Sequence, residues 1–218
     1  DVQAYPWSAD WYRTQATAAL GGPDELEDSF RLWYMDNADH DRPASVEAGA
    51  HIVSYAPEVQ QALLDLDAWV LNGTPPPASS TYSVSDDTQV SLATTASERG
   101  GVQPVVSLVA SAGDECGDGT ARVEVGAGDE VAFDLTAEMP SGTGDIVRVE
   151  WDFDGTGAFP DGGDLDEAST QVDQCETHTY DEPGTYFAVA RVTAQRDGDG
   201  SASFGLIQNL ARVRVVVG

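Results

Sequence analysis

The side chains best placed to do chemistry in this sequence are His40 and the carboxylates beside it. His40 closes an acidic loop, Asp36-Asn37-Ala38-Asp39-His40, that follows an apolar run, Phe30-Arg31-Leu32-Trp33-Tyr34-Met35. An imidazole so placed can take a proton from a serine hydroxyl and return it to a leaving alcohol, with Asp36 or Asp39 orienting the ring. The competing reading is a surface histidine in a charged loop. A nucleophile elbow needs small residues two before and two after its serine, and no G-x-S-x-G occurs in the 218 residues. His51 opens a short apolar stretch, His51-Ile52-Val53-Ser54-Tyr55, and reads as a buried, hydrogen-bonded imidazole.

A second group of side chains offers oxygen ligands. Asp152, Asp154, Asp161, Asp164 and Asp166 are closely spaced in glycine-bearing sequence, which suits a hard cation such as Ca²⁺. Gly163 stands where an EF-hand loop starting at Asp152 would need its glutamate, so the spacing is not that of an EF-hand. The two readings are a Ca²⁺ site, with no cofactor strictly required, or a solvated acidic loop. Cys116 and Cys175, the two cysteines, lie in acid-rich, loop-like surroundings without metal-ligand spacing. They read as a disulfide joining two loops of one domain in an oxidising compartment, or as two free thiols.

The elements that must position these groups change character along the chain. Ser8 is an expected N-cap for a helix that runs to Leu20 and stops at Gly21-Gly22-Pro23. Phe30 to Met35, apolar on both faces, predicts a strand inside an α/β sheet. A second helix starts at Pro57, places Val59, Leu63, Leu66 and Val70 on one face, and ends at Gly73 before Pro75-Pro76-Pro77. Residues 78–101 read as a connector with one strand. From Val102 the text is strand after strand: Val105 to Ala110, Ala121 to Val125, Glu130 to Thr136, Val147 to Phe153, Gly184 to Ala194 and Leu210 to Val217. Turn-forming clusters separate them at the intervals of a β-sandwich, and Val131-Phe133-Leu135 and Val213-Val215-Val217 alternate as core-facing positions should. The expected division is 1–101 and 102–218.

Composition bounds the environment. A hydrophobic content of 41% supports a real core, and the formal charge of −28 comes from 38 acidic residues against ten basic ones, all arginine. Nucleic acid and anionic lipid are poor partners for such a surface. An acid excess without lysine suits high salt, where screening relieves self-repulsion, or reflects coding bias. No apolar run is long enough to span a bilayer, and a chain opening at Asp1 without a leader reads as mature or truncated.

Two resemblances follow from particular phrases. Val149-Glu150-Trp151-Asp152-Phe153-Asp154-Gly155, with His178-Thr179-Tyr180-Asp181-Glu182-Pro183-Gly184-Thr185-Tyr186, resembles the polycystic-kidney-disease (PKD) type of Ig-like domain. The second half of that motif is matched in full. The first half departs, with Asp154-Gly155-Thr156-Gly157 in place of G-D-G, and an acid-rich insertion, Phe159 to Gln174, lengthens the loop between the halves. The resemblance implies that Trp151 fills the inter-sheet core, that Tyr180 or Tyr186 ties a strand corner, and that His178 is a strand residue.

The N-terminal half resembles the C-terminal part of a group of actinobacterial and proteobacterial α/β-hydrolase-domain proteins loosely related to tannase and feruloyl-esterase-like enzymes. The phrases are Ala9-Asp10-Trp11-Tyr12, Phe30-Arg31-Leu32-Trp33-Tyr34, Asn37-Ala38-Asp39-His40, Gln61-Ala62-Leu63 with Ala68-Trp69-Val70-Leu71-Asn72-Gly73-Thr74-Pro75-Pro76, and Glu98-Arg99-Gly100-Gly101-Val102-Gln103-Pro104. The fold class expected is therefore α+β, the last strand and helices of an α/β-hydrolase, followed by an all-β PKD-type sandwich. The resemblance implies a secreted serine esterase or acyl hydrolase whose general base is His40. The triad order of that fold is Ser, acid, His, and residues 1–39 hold no sheet for the first two. The expected partner is then an upstream fragment or subunit bearing the serine, bound along the Phe30 to Met35 edge. The alternative is a non-catalytic extracellular module whose sandwich binds polysaccharide or a cell surface, with Trp7, Trp11, Trp33 and Trp69 as core, interface or sugar-stacking residues.

Overall fold

The structure is a computed structural model that describes residues 5–218, so Asp1 lies outside the described residues. In chain order the elements are α1 (Trp7–Leu20), α2 (Pro23–Glu27), a 3₁₀ turn (Glu47–Ala50), α3 (Ala56–Asn72), β1 (Tyr82–Val84), β2 (Val90–Leu92), α4 (Ala96–Arg99) and β3 (Val105–Ala112). There follow β4 (Arg122–Val125), β5 (Glu130–Glu138), β6 (Asp145–Asp152), β7 (Asp161–Ser169), β8 (Gln171–Thr179), β9 (Gly184–Gln195) and β10 (Ile207–Val217). Among the described residues no helix is long and apolar enough to cross a membrane.

Two sheets form a β-sandwich. One runs β4-β10-β9-β6-β7 and the other β3-β5-β8; β1 and β2 make a separate hairpin. All six strands expected beyond Val102 are present, because alternation there matches one buried face per sheet. Val131, Phe133 and Leu135 of β5 meet Val213, Val215 and Val217 of β10 in one core, all buried. Trp151 is buried there too, its ring stacked on Phe153 at 5.6 Å. Tyr180 packs in the same core and its hydroxyl donates to the Phe153 carbonyl at 2.9 Å, so this tyrosine ties the corner. Cys116 and Cys175 form a disulfide. Its second end is on a strand, β8, and not in a loop.

The stretch read as an acid-rich loop, Phe159 to Gln174, is mostly β7 and the start of β8. Neither strand has the composition of one. β7 is held by antiparallel pairing with β6 and by Arg148 Nε donating to Asp164 Oδ1 at 2.6 Å. β8 is held by β5 through nine consecutive paired positions. The chain passes from one sheet to the other between Ser169 and Gln171, and partner strands override weak intrinsic preference.

Phe30 to Met35 is not a strand in a sheet. It is an extended segment whose bonds go to side chains: Leu32 N–H donates to Ser79 Oγ at 3.1 Å and Tyr34 N–H to Ser80 Oγ at 3.0 Å, while Ser80 N–H donates to the Leu32 carbonyl at 2.9 Å. Among the described residues no strand pairs with its other side.

The segment that follows lies on the outer face of the five-stranded sheet. Ala50 and Val53 pack with Phe159, Val189 and Leu210, flanked by Met35 and Ala38. Polar groups fasten it: Asn37 Nδ2 donates to Asn209 Oδ1 and to the Leu210 carbonyl, both at 2.9 Å. Gln103 bridges from Asp36 N–H and C=O to the Gln208 carbonyl. Gly157 sits at φ +82°, and a Cβ there would lie 1.8 Å from the Val46 carbonyl oxygen, so only glycine allows this close approach.

Helix α3 packs the opposite way from its amphipathic reading. Its buried residues are Glu58, Gln61 and Asp65. Asp65 receives both terminal nitrogens of Arg196 at 3.1 and 2.9 Å, and Gln60 accepts from the Gly205 N–H. The stripe Val59, Leu63, Leu66 and Val70 faces outward, 47%, 62%, 51% and 75% exposed. Periodicity identified the apolar face but did not say which body would cover it.

Candidate functional site

The His40 loop leaves the end of the extended segment and turns at Asn37, whose φ of 54° is left-handed. Asp39 Oδ1 accepts from the His40 backbone N–H and lies 2.7 Å from the ring Nδ1. Those bonds, the backbone one foremost, hold the Asp39 carboxyl below the usual carboxylate range. His40 Nε2 is 3.7 Å from Asp41 Oδ2, and the side chain is 36% exposed. The Asp39 contact orients the imidazole through Nδ1. Asp36 is not part of it: its carboxylate pairs with the buried Arg99. His51 is at the surface and not buried, its Nδ1 2.8 Å from Arg212 Nη1.

The five aspartates considered for Ca²⁺ are not gathered. Asp152 is buried and accepts from Thr156 N–H at 3.0 Å, Thr156 Oγ1 at 3.2 Å and Gly157 N–H, closing the turn after β6. Asp164 is paired with Arg148, and Asp154, Asp161 and Asp166 are exposed. Among the described residues no three His, Cys, Asp or Glu side chains stand close enough together to hold a metal ion. His178 is on β8, between the Phe153 and Tyr180 rings, each 4.6 Å away.

A concavity unnoticed in the sequence lies between residues 29–35 and α3. It has a volume of about 560 Å³, and its apolar lining includes Phe30, Trp33, Met35, Leu66 and Trp69. Glu58 also lines it, 6% exposed, with Oε2 making no hydrogen bond among the described residues. Burial pushes the Glu58 carboxyl up to about 8. In the sequence Glu58 reads as an ordinary acid in the first turn of a helix, where the helix dipole favours it. Only its burial makes it unusual. Arg31, which also borders the groove, is engaged: it pairs with Glu27 Oε2 at 3.0 Å and lies 4.9 Å over the Trp69 ring.

No protein-family model matches this chain. No curated protein matches it either. Solved structures are similar to part of it. The PKD domain of an M14-like peptidase from Thermoplasmatales archaeon SCGC AB-540-F20 is 15% identical, with 53% of this chain and 92% of that one covered and a TM-score of 0.34. The CARDB domain of the PF1109 protein from Pyrococcus furiosus, in complex with di-metal ions, is 15% identical over 53% of this chain and 90% of its own, with a TM-score of 0.31. A solution structure of the PF1109 CARDB domain is 17% identical over 53% and 95%, with a TM-score of 0.29.

Proposed function

We propose that this chain is a non-catalytic extracellular module: a PKD-like, disulfide-bearing sandwich that carries an N-terminal layer shaped for attachment to another macromolecule. The observation that carries the reading is the packing of residues 35–53 and α3. Their polar groups and small apolar residues are used on the sandwich, through Asn37, Gln103, Asp65 and Val53, while the large apolar side chains of α3 are turned outward. A disulfide suits an oxidising compartment, and a surface of net charge −28 suits solubility outside the cell, in high salt included. The purified chain is expected to hydrolyse p-nitrophenyl and feruloyl esters no faster than the buffer blank. A rate above the blank that vanishes with His40→Ala would end this reading. Sedimentation with insoluble polysaccharides and with cell walls tests the two ligand classes expected for the sandwich.

A second reading is favoured by the 2.7 Å contact between Asp39 Oδ1 and His40 Nδ1. It makes this chain the C-terminal portion of a secreted serine esterase, with His40 as general base and the nucleophile on a companion polypeptide. Co-expression with an upstream polypeptide bearing G-x-S-x-G tests it: hydrolysis should appear, and His40→Ala should remove at least about a hundredfold of it.

A further inference from the structure

The geometry points to the groove between residues 29–35 and α3 as the seat of an extended segment of a second polypeptide, apolar along one face and carrying one Lys or Arg that meets Glu58. This deepens the attachment reading above and rests on it. Three observations on separate parts of the groove agree.

The first is the open backbone edge. Leu32 and Tyr34 turn their N–H groups to Ser79 and Ser80. In an extended chain the alternate residues point the other way, and the N–H and C=O of Arg31 and Trp33 make no hydrogen bond among the described residues. Such an edge is a template for an added strand, and a small apolar molecule would leave it unpaired.

The second is apolar area. Val59, Leu63, Leu66 and Val70 continue the groove as an uncovered stripe, with Leu64 and Leu71 also exposed at 58% and 71%. Contiguous apolar surface of this kind marks an interaction site.

The third is charge. Glu58 is buried beside the groove with its Oε2 making no hydrogen bond among the described residues, and Arg31, a cation at hand, is already held by Glu27 and Trp69. Burial keeps this carboxyl protonated in the free chain because an ionised, unpaired carboxylate there is costly, and a cation brought by the incoming segment removes that cost and lets the proton leave to solvent. A chain of net charge −28 draws a basic segment and repels anionic lipid.

The test uses the full chain and three synthetic peptides, acetylated and amidated. The first alternates valine and threonine around a central lysine. The second replaces that lysine with norleucine, and the third is the lysine peptide N-methylated along one edge. Binding is read by tryptophan fluorescence and by hydrogen exchange at the amides of Arg31 and Trp33. The lysine peptide is expected to protect both amides and to bind about tenfold or more tighter than the norleucine peptide. Glu58→Gln should erase that difference, and N-methylation should abolish binding. Leu66→Ala, at an exposed position, should weaken both unmethylated peptides, and near-ultraviolet circular dichroism checks that each variant is folded. Equal affinity for lysine and norleucine peptides, or no protection at Arg31 and Trp33, overturns the proposal. So does occupation of the groove by anilinonaphthalene sulfonate with no peptide binding. Ester hydrolysis is measured separately, so a failed module reading and an empty groove give different results.

Discussion

Glu58 shows how one side chain can be ordinary in type and exceptional in place. Its folded-state value near 8 lies above the ordinary 4.5 because burial disfavours the charged form. The folded protein therefore holds a proton that the unfolded chain releases across this window. Stability is unaffected by Glu58 below about pH 4.5, falls as pH rises from there to 8, and is level beyond. Glu58→Gln mimics the protonated form. It should leave denaturant stability unchanged at acid pH and raise it by about 1–3 kcal/mol above pH 8, a difference readable from paired urea titrations. Tyr180 gives a smaller effect of the opposite sign. Removing its hydroxyl from the buried Phe153 carbonyl by Tyr180→Phe should cost about 1 kcal/mol at neutral pH, with the midpoint shifting and the slope preserved. The strong phrases of the PKD-like motif were legible because Trp151 and Tyr180 are packing residues whose role follows from their type. Asp36 and Asp39 were indistinguishable as carboxylates beside a histidine, and only the fold set Asp36 on Arg99 and Asp39 on His40.

Helix α3 and the strands β7 and β8 were read with opposite success. The bounds of α3 follow from Pro57 and Gly73, punctuation that acts locally, but its orientation depends on Arg196, far along the chain, reaching Asp65. Asp65→Ala should cost about 1–3 kcal/mol, since it leaves a half-buried guanidinium without its carboxylate. The loss should also raise hydrogen exchange along α3 while β9 and β10 stay protected. Composition concealed β7, an edge strand of glycine and acid that exists because β6 pairs with it. Gly157→Ala would force the turn after β6 away from Val46, and is expected to loosen residues 46–53 from the sheet. Limited proteolysis within 40–55 would report this as faster cleavage.

For the molecule as a whole, two constraints act on the unfolded and folded states. The disulfide closes a separation of 59 residues, which in the chain-entropy account stabilises by about 4 kcal/mol. Reduction should therefore lower the thermal midpoint by many degrees, while Cys116→Ala with Cys175→Ala should match the reduced protein. The charge of −28 predicts a midpoint that rises as sodium chloride goes from dilute buffer to about 1 M, where the Debye length is about 3 Å. A flat response would show that the acidic surface carries no net repulsion.

The sequence by itself determined the sandwich, its core-facing residues and the glycine stops of α1 and α3, because alternation and glycine or proline punctuation are short-range signals, whereas Ser8 lies inside α1 and does not cap it. It also carried the pairing of Cys116 with Cys175 as the leading choice between two. Tertiary structure alone decided that Phe30 to Met35 is a lone extended edge and that the α3 stripe faces outward. It alone decided too that Glu58 is buried with its Oε2 making no hydrogen bond among the described residues, and that Asp152 closes a turn while Asp164 pairs with Arg148. Each of these depends on which distant surface arrives beside the residue, and periodicity along a chain does not encode the identity of the neighbour.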